Sequence, residues 1–509
     1  MTMSDEMLKK LQEIEGIRAR LIKGGGEDAL AKQKASGKMT ARERIARLCD
    51  DETFCEYDLF AKHLGKDYGL DKATLPADGV VTGFGKINGR GAFIYSQDFS
   101  VNAGTFGEMH GRKIRKTVEL ADKMGFPLIG INDSGGARVT EEMGALSAYG
   151  QLFSAQIKAS GVVPQIALIM GPVAGGQAYS PSLMDFIFMV EKTSHMFLAG
   201  PPLVKALVFQ DATVEQLGDP KMHAAVTGVS DYTAKDDADC IERTKELLAY
   251  LPLNNDELPP YVEPKDDPNR IDEELLRIIP TDQKKPYDMR EVIRRIVDDG
   301  KFLEIKRDYA KNLITCFTRM NGHVVGVVAS NPAHMAGCLD VRSSEKGSKF
   351  VNFCDAFNIP LVTLQDVPGY LVGIRSERDG IIRQGGKLLR AYAQATVPKI
   401  TVVVRKSYAG GYLGLCSKEL GADFLFELPT AEICLMGAPG AVNVIFRKEI
   451  AAAANPEEAR RKYIKEFSDK YVNPLYSAGL QHVDDIIDPR RMRPVIIKAL
   501  EIAQNKSEW

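Results

Sequence analysis

Two stretches of this chain follow the same unusual pattern, IALIMGPVAGGQAYS at residues 166–180 and TVVVRKSYAGGYLG at residues 401–414. Each begins as an apolar, β-branched run, which is typical of a buried strand. Each then reaches a Gly-Gly pair and a segment of helical character. The pattern predicts a strand that turns through bare backbone into a helix, once in each half of the chain.

The sequence around these stretches is also duplicated, in the same order. A shift of 233 residues carries Phe84 to Phe317 and Asp133 to Asp366, and a shift of 248 carries Glu56 to Glu304. Matching the identical letters aligns Gly175-Gly176 with Gly410-Gly411 at a shift of 235. A spacing this long indicates two copies of one fold rather than a solenoid of short repeats.

Short apolar runs alternate with longer helical stretches in both copies. This alternation predicts an α/β fold with crossover connections and mostly parallel strands. The first copy has predicted helices at 108–124 and 141–158 and predicted strands at 127–132 and 164–170. The second copy has predicted helices at 345–357 and 380–395 and predicted strands at 324–329, 360–365 and 399–404.

A proline-rich, polar segment separates the copies. Residues 251–286 read as an exposed linker with at most one short helix, at 272–279. We therefore place the domain boundary near residue 265, which gives an N-terminal domain of residues 1–264 and a C-terminal domain of residues 265–509. Two domains also fit a length of 509 residues.

The composition of the chain limits the kinds of molecule that the protein is expected to bind. The net charge of −2 offers no basic field for nucleic acid, so small molecules and protein surfaces are the expected partners. The eight cysteines show no metal-ligand spacing, so we expect buried free thiols and no metal site. The N-terminal residues lack an apolar signal sequence, and residues 161–174 are too short to span a bilayer, so we expect a cytoplasmic protein.

The Gly-Gly pairs are the first candidate functional residues. Backbone N–H groups at the start of a helix have no intrahelical acceptor, so they can stabilise an oxyanion. Close packing of helix against strand is the structural alternative. The preceding strand ends, at 133–138 and 366–370, carry a second pair of matched loops, where parallel sheets place their ligands. No serine-hydrolase, P-loop or zinc-protease motif accompanies them. Two backbone pockets suit the formation of two enolates, one from a thioester and one from an amide or urea.

Several segments together resemble the carboxyltransferase subunit of biotin-dependent acyl-CoA carboxylases and decarboxylases. They span nearly the whole chain: KMTARERIARLCD (38–50), SQDFSVNAGTFGEMH (96–110), INDSGGAR (131–138), SGVVPQIALIMGPVAGGQAYSP (160–181), SSEKGSKFVNFCDAFNIPLV (343–362), ATVPKITVVVRKSYAGGY (395–412), GAVNVIFRKEI (440–450) and HVDDIIDPRRMRP (482–494). The resemblance implies two tandem crotonase-like domains, a homo-hexamer, an N-terminal domain that binds acyl-CoA and a C-terminal domain that binds biotin.

The resemblance also implies roles for single residues. Gly175 and Gly176 would hold the thioester oxygen, and Gly410 and Gly411 the urea oxygen of biotin. Acyl-CoA binding is expected at Gly135, Gly136, Ala137, Arg138, Tyr179, Leu413, Arg42 and Lys113, the last two as contacts for CoA phosphates. Biotin binding is expected at Gly369, Tyr370, Gly380, Ile381, Arg383 and Gln384. Biotin would arrive on a separate carrier protein that works with a biotin carboxylase.

Three positions of the biotin half depart from the family pattern. Val372, Ser376 and Gln384 stand where most members have Pro, Gln and His. The expected reaction is carboxyl transfer between carboxybiotin and a substrate such as propionyl-CoA or methylmalonyl-CoA. Two alternatives remain open: the alpha subunit of a sodium-pumping methylmalonyl-CoA decarboxylase with membrane partners, and a biotin-independent crotonase-type decarboxylase or hydratase. The acyl group, the direction and the partner subunits are left open.

Overall fold

A computed structural model describes residues 3–506 and divides the chain into two compact units. The units meet in the sequence between Glu257 and Leu258, close to the boundary expected near residue 265. Residues 1–2 and 507–509, the outermost ends of the two predicted domains, lie outside the described residues.

The first unit is built on an eight-stranded sheet in the order β1-β2-β3-β4-β5-β6-β8, and β7 pairs with β5. Its two pairings at the β1 edge are antiparallel and the others are parallel. The strands are β1 (Cys55–Tyr57), β2 (Val80–Ile87), β3 (Arg90–Gln97), β4 (Leu128–Ser134), β5 (Gln165–Ala174), β6 (Phe186–Val190), β7 (His195–Phe197) and β8 (Tyr232–Ala234).

The second unit repeats this sheet with the order β9-β10-β11-β12-β13-β14-β16, and β15 pairs with β13. Again the first two pairings are antiparallel and the rest are parallel. The strands are β9 (Phe302–Ile305), β10 (Leu313–Met320), β11 (His323–Ser330), β12 (Leu361–Val367), β13 (Lys399–Tyr408), β14 (Phe424–Glu427), β15 (Glu432–Cys434) and β16 (Asp485–Ile486). The predicted α/β class with mostly parallel strands is confirmed.

Helices connect the strands in both units. The first unit contains α1 (Met3–Leu21), α2 (Glu27–Ala35), α3 (Ala41–Leu48), α4 (Glu108–Met124), α5 (Glu142–Ala159), α6 (Gly176–Ser182), α7 (Pro201–Val208), α8 (Val214–Gly218), α9 (Pro220–Met222) and α10 (Asp237–Leu248). The second unit contains α11 (Leu275–Ile278), α12 (Met289–Ile296), α13 (Val341–Ala356), α14 (Ile374–Asp379), α15 (Ile381–Gln394), α16 (Gly410–Gly414), α17 (Ala438–Ile445), α18 (Arg447–Ala452), α19 (Pro456–Tyr471), α20 (Pro474–Gly479) and α21 (Met492–Ala503).

Local sequence signals account for most helix boundaries. Thr40 caps α3 through a capping box with Glu43, as the spacing of the two residues predicts. Helix α4 ends where Gly125 adopts the left-handed conformation, so its observed span equals the predicted one. The short helix predicted at 272–279 is reduced to α11, and the rest of the linker is irregular.

The strands that carry the Gly-Gly pairs are longer than predicted. Strands β5 and β13 each have ten residues and are buried along almost their entire length. They lie at the centre of their sheets and pack against helices on the apolar cores. These two strands therefore place their carboxyl ends, and the residues that follow, in fixed positions.

Five of the eight cysteines are buried, whereas Cys55 is exposed and two others are half-buried. The expectation of buried thiols is thus correct for most of them. Among the described helices, none combines the length and the apolar character that a membrane crossing requires.

Candidate active site

The two central strands end in the same backbone turn. Gly175 follows β5 with φ 65° and ψ −135°, and Ala409 follows β13 with φ 50° and ψ −132°. Helices α6 and α16 then begin at Gly176 and Gly410. The structural equivalents are therefore Gly175 with Ala409 and Gly176 with Gly410. The alignment of one Gly-Gly pair on the other was wrong by one residue.

The first amide of each turn is already hydrogen-bonded. Gly175 N–H donates to the Phe197 carbonyl at 3.1 Å, and Ala409 N–H donates to the Cys434 carbonyl at 2.9 Å. These bonds continue the pairing of β5 with β7 and of β13 with β15. The expectation that the Gly175 amide holds an oxyanion is therefore wrong, because that N–H belongs to the sheet.

The next amide of each turn is free to bind a ligand. Gly176 and Gly410 occupy the first helical position, where an N–H has no acceptor within its own helix. Neither helix has a side-chain cap at this end. Each unit therefore offers one unbonded N–H at the carboxyl end of its central strand.

A second pair of amides lies in the loops after β4 and β12. In the first loop, Phe106 N–H donates to the Gly136 carbonyl and Arg138 N–H donates to the Phe106 carbonyl, both at 2.9 Å. Because polar groups alternate along an extended backbone, the Ala137 N–H between these bonds faces away from Phe106. In the second loop, Leu339 N–H donates to the Gly369 carbonyl at 3.0 Å, and Leu371 N–H donates to the Leu339 carbonyl at 2.7 Å. The Tyr370 N–H between these bonds therefore faces away from Leu339.

Close packing holds these loops against the helix starts. A side-chain carbon on Gly136 would lie 3.1 Å from the Ala174 carbonyl oxygen. One on Gly411 would lie 3.0 Å from the Cα atom of Gly369. The absence of side chains at these glycines allows neighbouring strand ends to approach, so the role of Gly411 that the structure shows is packing.

Each unit thus presents, on adjacent strand ends, two amides that bond to no other group within residues 3–506: Ala137 with Gly176, and Tyr370 with Gly410. Ala137 and Tyr370 were expected among the ligand-binding residues, but not for their main-chain N–H groups. The available signal was their position after a strand end, at matching places in the two copies.

The remaining predicted acyl-CoA residues of the first loop have distinct roles. Arg138 is buried and pairs with Asp78 at 2.6 Å and with Glu141 at 2.7 Å. These ion pairs hold the loop in place from its buried side. Gly135 is exposed and donates its N–H to the Ala103 carbonyl at 2.9 Å. Tyr179 and Leu413 are exposed at equivalent positions of α6 and α16.

Buried ion pairs support the strand ends of both units. Asp133 is fully buried and contacts Lys38 and Arg44, each at 2.9 Å. Asp366 is also fully buried and contacts Arg405 at 2.7 Å. Lys38 and Arg44 are both buried, and Arg44 also pairs with Asp237 at 2.7 Å, so these cations are neutralised inside the first unit.

Arg42 and Lys113 both make polar contacts within the first unit. Arg42 makes a two-pronged ion pair with Glu56, with bonds of 2.7 and 2.9 Å. Lys113 is buried and donates to the Ala77 carbonyl at 2.7 Å and to that of Val80 at 2.5 Å. Burial lowers the pKa of Lys113 to about 8. The expected contact of Lys113 with a CoA phosphate is therefore corrected to a structural role, whereas that of Arg42 stays a prediction.

Two of the predicted biotin residues, Gly369 and Tyr370, lie in the loop that carries one amide of the second pair. The Tyr370 ring packs so closely that a side-chain carbon on either Gly385 or Gly410 would lie 3.0 Å from it. Burial raises the pKa of the Tyr370 hydroxyl to about 12. Gly369 and Gly380 adopt positive φ angles of 132° and 90°.

Helix α15 carries the other predicted biotin residues. Ile381 is buried and Arg383 is exposed. The Oε1 atom of Gln384 is buried and has no hydrogen-bond partner in the described part of the chain. Of the two other positions that depart from the family pattern, Val372 is 84% exposed, whereas Ser376 is buried and donates to the Leu371 carbonyl. Within residues 3–506, no group of three or more His, Cys, Asp or Glu side chains could hold a metal.

Known proteins resemble this chain over its full length. The carboxyl transferase domain family matches residues 32–509. The methylmalonyl-CoA decarboxylase subunit alpha of Veillonella parvula is 48% identical, over 98% of this chain and 97% of its own. The propionyl-CoA carboxylase carboxyltransferase subunit of Haloferax mediterranei is 45% identical, over 99% of this chain and 97% of its own.

A solved structure also matches both units. It is the transcarboxylase 12S crystal structure, a hexamer with methylmalonyl-CoA and methylmalonic acid bound. It has a TM-score of 0.97 and 48% identity, and it covers 100% of this chain and 97% of its own.

Proposed function

Because this chain belongs to the carboxyl transferase domain family, we propose that it transfers a carboxyl group between biotin on a separate carrier protein and the α carbon of an acyl-CoA. Each unit is then a crotonase-like domain, the first for acyl-CoA and the second for biotin. The observation that carries the proposal is the duplicated pair of unbonded amides, Ala137 with Gly176 and Tyr370 with Gly410.

The first unit stabilises the thioester enolate. Loss of the α proton moves negative charge onto the thioester oxygen, and the Ala137 and Gly176 amides donate hydrogen bonds to that oxygen. Because these donors are held by the sheet and by glycine packing, they need not reorganise during the reaction. Loss of one such donor typically costs about 2.7–4 kcal/mol of transition-state stabilisation.

The second unit fits the urea group of biotin. Its carbonyl oxygen is a hydrogen-bond acceptor, and the Tyr370 and Gly410 amides are free donors that would hold it. When bound, biotin supplies the carboxyl group and the base that takes the α proton. Gly369, Gly380, Ile381, Arg383 and Gln384 position the surrounding loop and helix.

Propionyl-CoA and methylmalonyl-CoA are the substrate pair that we propose, because relatives named for both are more than 40% identical to this chain. A homo-hexamer is proposed from the likeness to the transcarboxylase 12S hexamer. In the carboxylase direction the partners are a biotin carboxylase and a biotin carrier. The second candidate is methylmalonyl-CoA decarboxylation with membrane partners, which the relative from Veillonella parvula supports.

The two units can be tested separately at Gly410. Proline is tolerated at the first helical position, so Gly410→Pro removes one N–H with little change to α16. Gly410→Ala is the matched control, because it adds the same β carbon against Tyr370 but keeps the N–H. We expect Gly410→Pro to lower kcat/KM for carboxyl transfer about 10²–10³-fold below that of Gly410→Ala. Acyl-CoA affinity, measured by calorimetry, should be equal in the two variants.

Equal activity of Gly410→Pro and Gly410→Ala would refute the role of the second amide pair. A matching loss of acyl-CoA affinity in Gly410→Pro alone would refute the division of roles between the units. The assay uses propionyl-CoA and methylmalonyl-CoA with free biotin and with a biotinylated carrier. Turnover that persists after avidin removes biotin would instead establish the biotin-independent alternative.

A further inference from the structure

His110 is a fully buried histidine beside the loop that carries the Ala137 amide. It is the third residue of α4, and its ring centroid lies 5.3 Å from that of Phe106. The main chain of Phe106 makes the two hydrogen bonds that flank Ala137. His110 therefore packs against the residue that holds this amide in place.

A chain of hydrogen bonds joins His110 to the start of the loop. Asp133, at the end of β4, donates its N–H to the Oε1 atom of Gln97 at 3.1 Å. The Nε2 atom of Gln97 in turn lies 3.1 Å from Nε2 of His110. All three residues are fully buried, so water does not compete for these bonds. The position of the strand end is thus tied to the histidine ring.

Asp78 joins His110 to the other end of the loop. Its carboxylate accepts the main-chain N–H of His110 at 2.8 Å and pairs with Arg138 at 2.6 Å. Its carbonyl oxygen lies 2.8 Å from Nδ1 of His110. The histidine is therefore connected to the residues on both sides of the Ala137 amide.

These bonds fix the tautomer of the His110 ring. A carbonyl oxygen only accepts hydrogen bonds, so Nδ1 carries the proton and donates it to Asp78. Nε2 is then unprotonated and accepts from the side-chain N–H of Gln97, which leaves Gln97 Oε1 to accept the Asp133 N–H. Burial lowers the pKa of His110 to about 3, so the ring is neutral near pH 7.

The second unit, over its described residues, supports its strand end in a different way. A shift of 233 residues places Ser343 at the position of His110 and Ser330 at that of Gln97. The Ser330 hydroxyl accepts the Asp366 N–H directly at 2.6 Å, whereas Ser343 takes part in the cap of its own helix α13. The chain through histidine is thus a feature of the first unit, whose amides are proposed to hold the thioester.

We propose that His110 is a positioning residue for the reaction of the first unit. Through Gln97 and Asp78 it holds the loop so that the Ala137 amide stays directed at the thioester oxygen. The inference rests on the proposed function, which makes this amide an oxyanion donor. A misplacement of about 1 Å in such a group can lower the rate about 10²-fold. Because the oxygen gains its charge only during the reaction, kcat is more sensitive than acyl-CoA affinity.

Two substitutions of His110 separate the roles of its ring nitrogens. In His110→Gln the side-chain carbonyl can replace Nε2 and accept from Gln97. In His110→Asn the side-chain amide can replace Nδ1 and donate to Asp78, but no atom replaces Nε2. Both variants lose the ring and keep the main-chain bond to Asp78. We expect kcat for carboxyl transfer to be about tenfold lower in His110→Asn than in His110→Gln, with equal acyl-CoA Kd in calorimetry.

Hydrogen exchange followed by mass spectrometry tests the positioning independently of activity. The peptide that spans residues 131–138 of the full-length protein should exchange about tenfold faster in His110→Asn than in His110→Gln. Peptides of the second unit should exchange equally. Gln97→Met breaks the same chain at its middle residue, and adding it to His110→Asn should cause no further loss of kcat.

Equal kcat and equal exchange in the two histidine variants would overturn the inference. Should neither of them fold, unchanged kcat and exchange in Gln97→Met relative to the wild type would overturn it as well. Failure of the proposed function gives a different result. In that case the wild type transfers no carboxyl group with any biotin donor, while the difference in exchange between His110→Asn and His110→Gln remains.

Discussion

At the scale of single residues, Ala409 shows how a site constrains its backbone. Its positive φ is costly for a residue with a side chain, and its equivalent in the first unit is glycine. The conformation persists because the Ala409 N–H bonds to β15 while the next residue starts α16. The strain thus accompanies the turn that exposes the Gly410 amide.

Replacing Ala409 with glycine should relieve this strain. We expect Ala409→Gly to raise the free energy of unfolding by about 1 kcal/mol. Relief of the strain stabilises the folded state, and this gain exceeds the loss caused by the greater entropy of glycine in the unfolded chain. Urea denaturation followed by circular dichroism measures it. The control is Ala451→Gly in the exposed part of α18, which should lower stability. A loss of stability in Ala409→Gly would show that the turn is not strained.

A single buried carboxyl group makes the stability of the protein depend on pH. Glu427, at the end of β14, is fully buried, and its hydrogen-bond donor is the Ser477 hydroxyl at 2.8 Å. Burial raises the pKa of Glu427 from 4.5 to about 7. The folded state therefore holds this proton more tightly than the unfolded state does. The contribution of the protonated Glu427 carboxyl group to stability is complete below pH 4.5 and is lost as the pH rises through about 7.

Glu427→Gln should remove that pH dependence, because glutamine is neutral at every pH. We expect the variant to lose less stability than the wild type between pH 4.5 and pH 7 in thermal denaturation. The exposed residue Glu457 provides the control, and Glu457→Gln should follow the wild-type profile. Parallel profiles for Glu427→Gln and the wild type would disprove the assignment.

At the scale of secondary-structure elements, one lysine in each unit ties a long helix to the segment that joins the first two strands of the sheet. Lys113 on α4 and Lys346 on α13 occupy equivalent positions, both buried. Lys346 donates to the carbonyls of Lys306, Tyr309 and Leu313 at 2.7–3.0 Å. The duplicated contact shows why a lysine that the sequence suggested as a ligand residue is structural.

Loss of the Lys346 ammonium would remove the donor to the Tyr309 and Leu313 carbonyls, whereas the Lys306 carbonyl keeps the Tyr309 N–H at 3.1 Å. We expect Lys346→Met to lower the free energy of unfolding by about 2 kcal/mol or more, at roughly 1–3 kcal/mol for each unsatisfied buried group. Lys349→Met is the control, because Lys349 is exposed on the same helix. A difference below about 1 kcal/mol between the two variants in urea denaturation would mean that water replaces the ammonium.

At the scale of the whole molecule, the two units keep the same ionic framework although most of their residues differ. Arg42 pairs with Glu56 in the first unit, and Arg290 pairs with Glu304 in the second. Asp50 and Asp298 each accept two main-chain N–H bonds from the hairpin turn of their sheet. Asp298 also pairs with Arg493, which is 1% exposed.

Because only Asp298 has this ion pair, alanine substitutions of Asp50 and Asp298 should lower the free energy of unfolding by different amounts. Asp50→Ala should cost about 1–3 kcal/mol, because it removes only hydrogen bonds to the turn. Asp298→Ala should cost about 3–5 kcal/mol, because it also leaves the buried Arg493 without its closest partner. Urea denaturation of both variants measures the difference, and equal losses would show that the Arg493 contact contributes nothing.

The sequence by itself determined the duplication, the α/β class and the positions of most helices. These features follow from local signals, such as the capping box of α3 and the glycine that ends α4. The strand ends that hold the candidate site were also found this way, because an apolar run that meets a Gly-Gly pair is a local pattern.

Only the tertiary structure decided which groups are available for chemistry. The identical Gly-Gly letters aligned Gly175 with Gly410, whereas the sheets align Gly175 with Ala409. The amide of Gly175 is bonded to β7, and the buried Lys38 and Arg44 pair with Asp133, with Asp237 as a second partner of Arg44. Hydrogen bonds and ion pairs of this kind join residues far apart in the chain, so no local pattern reveals whether an amide or a cation is free.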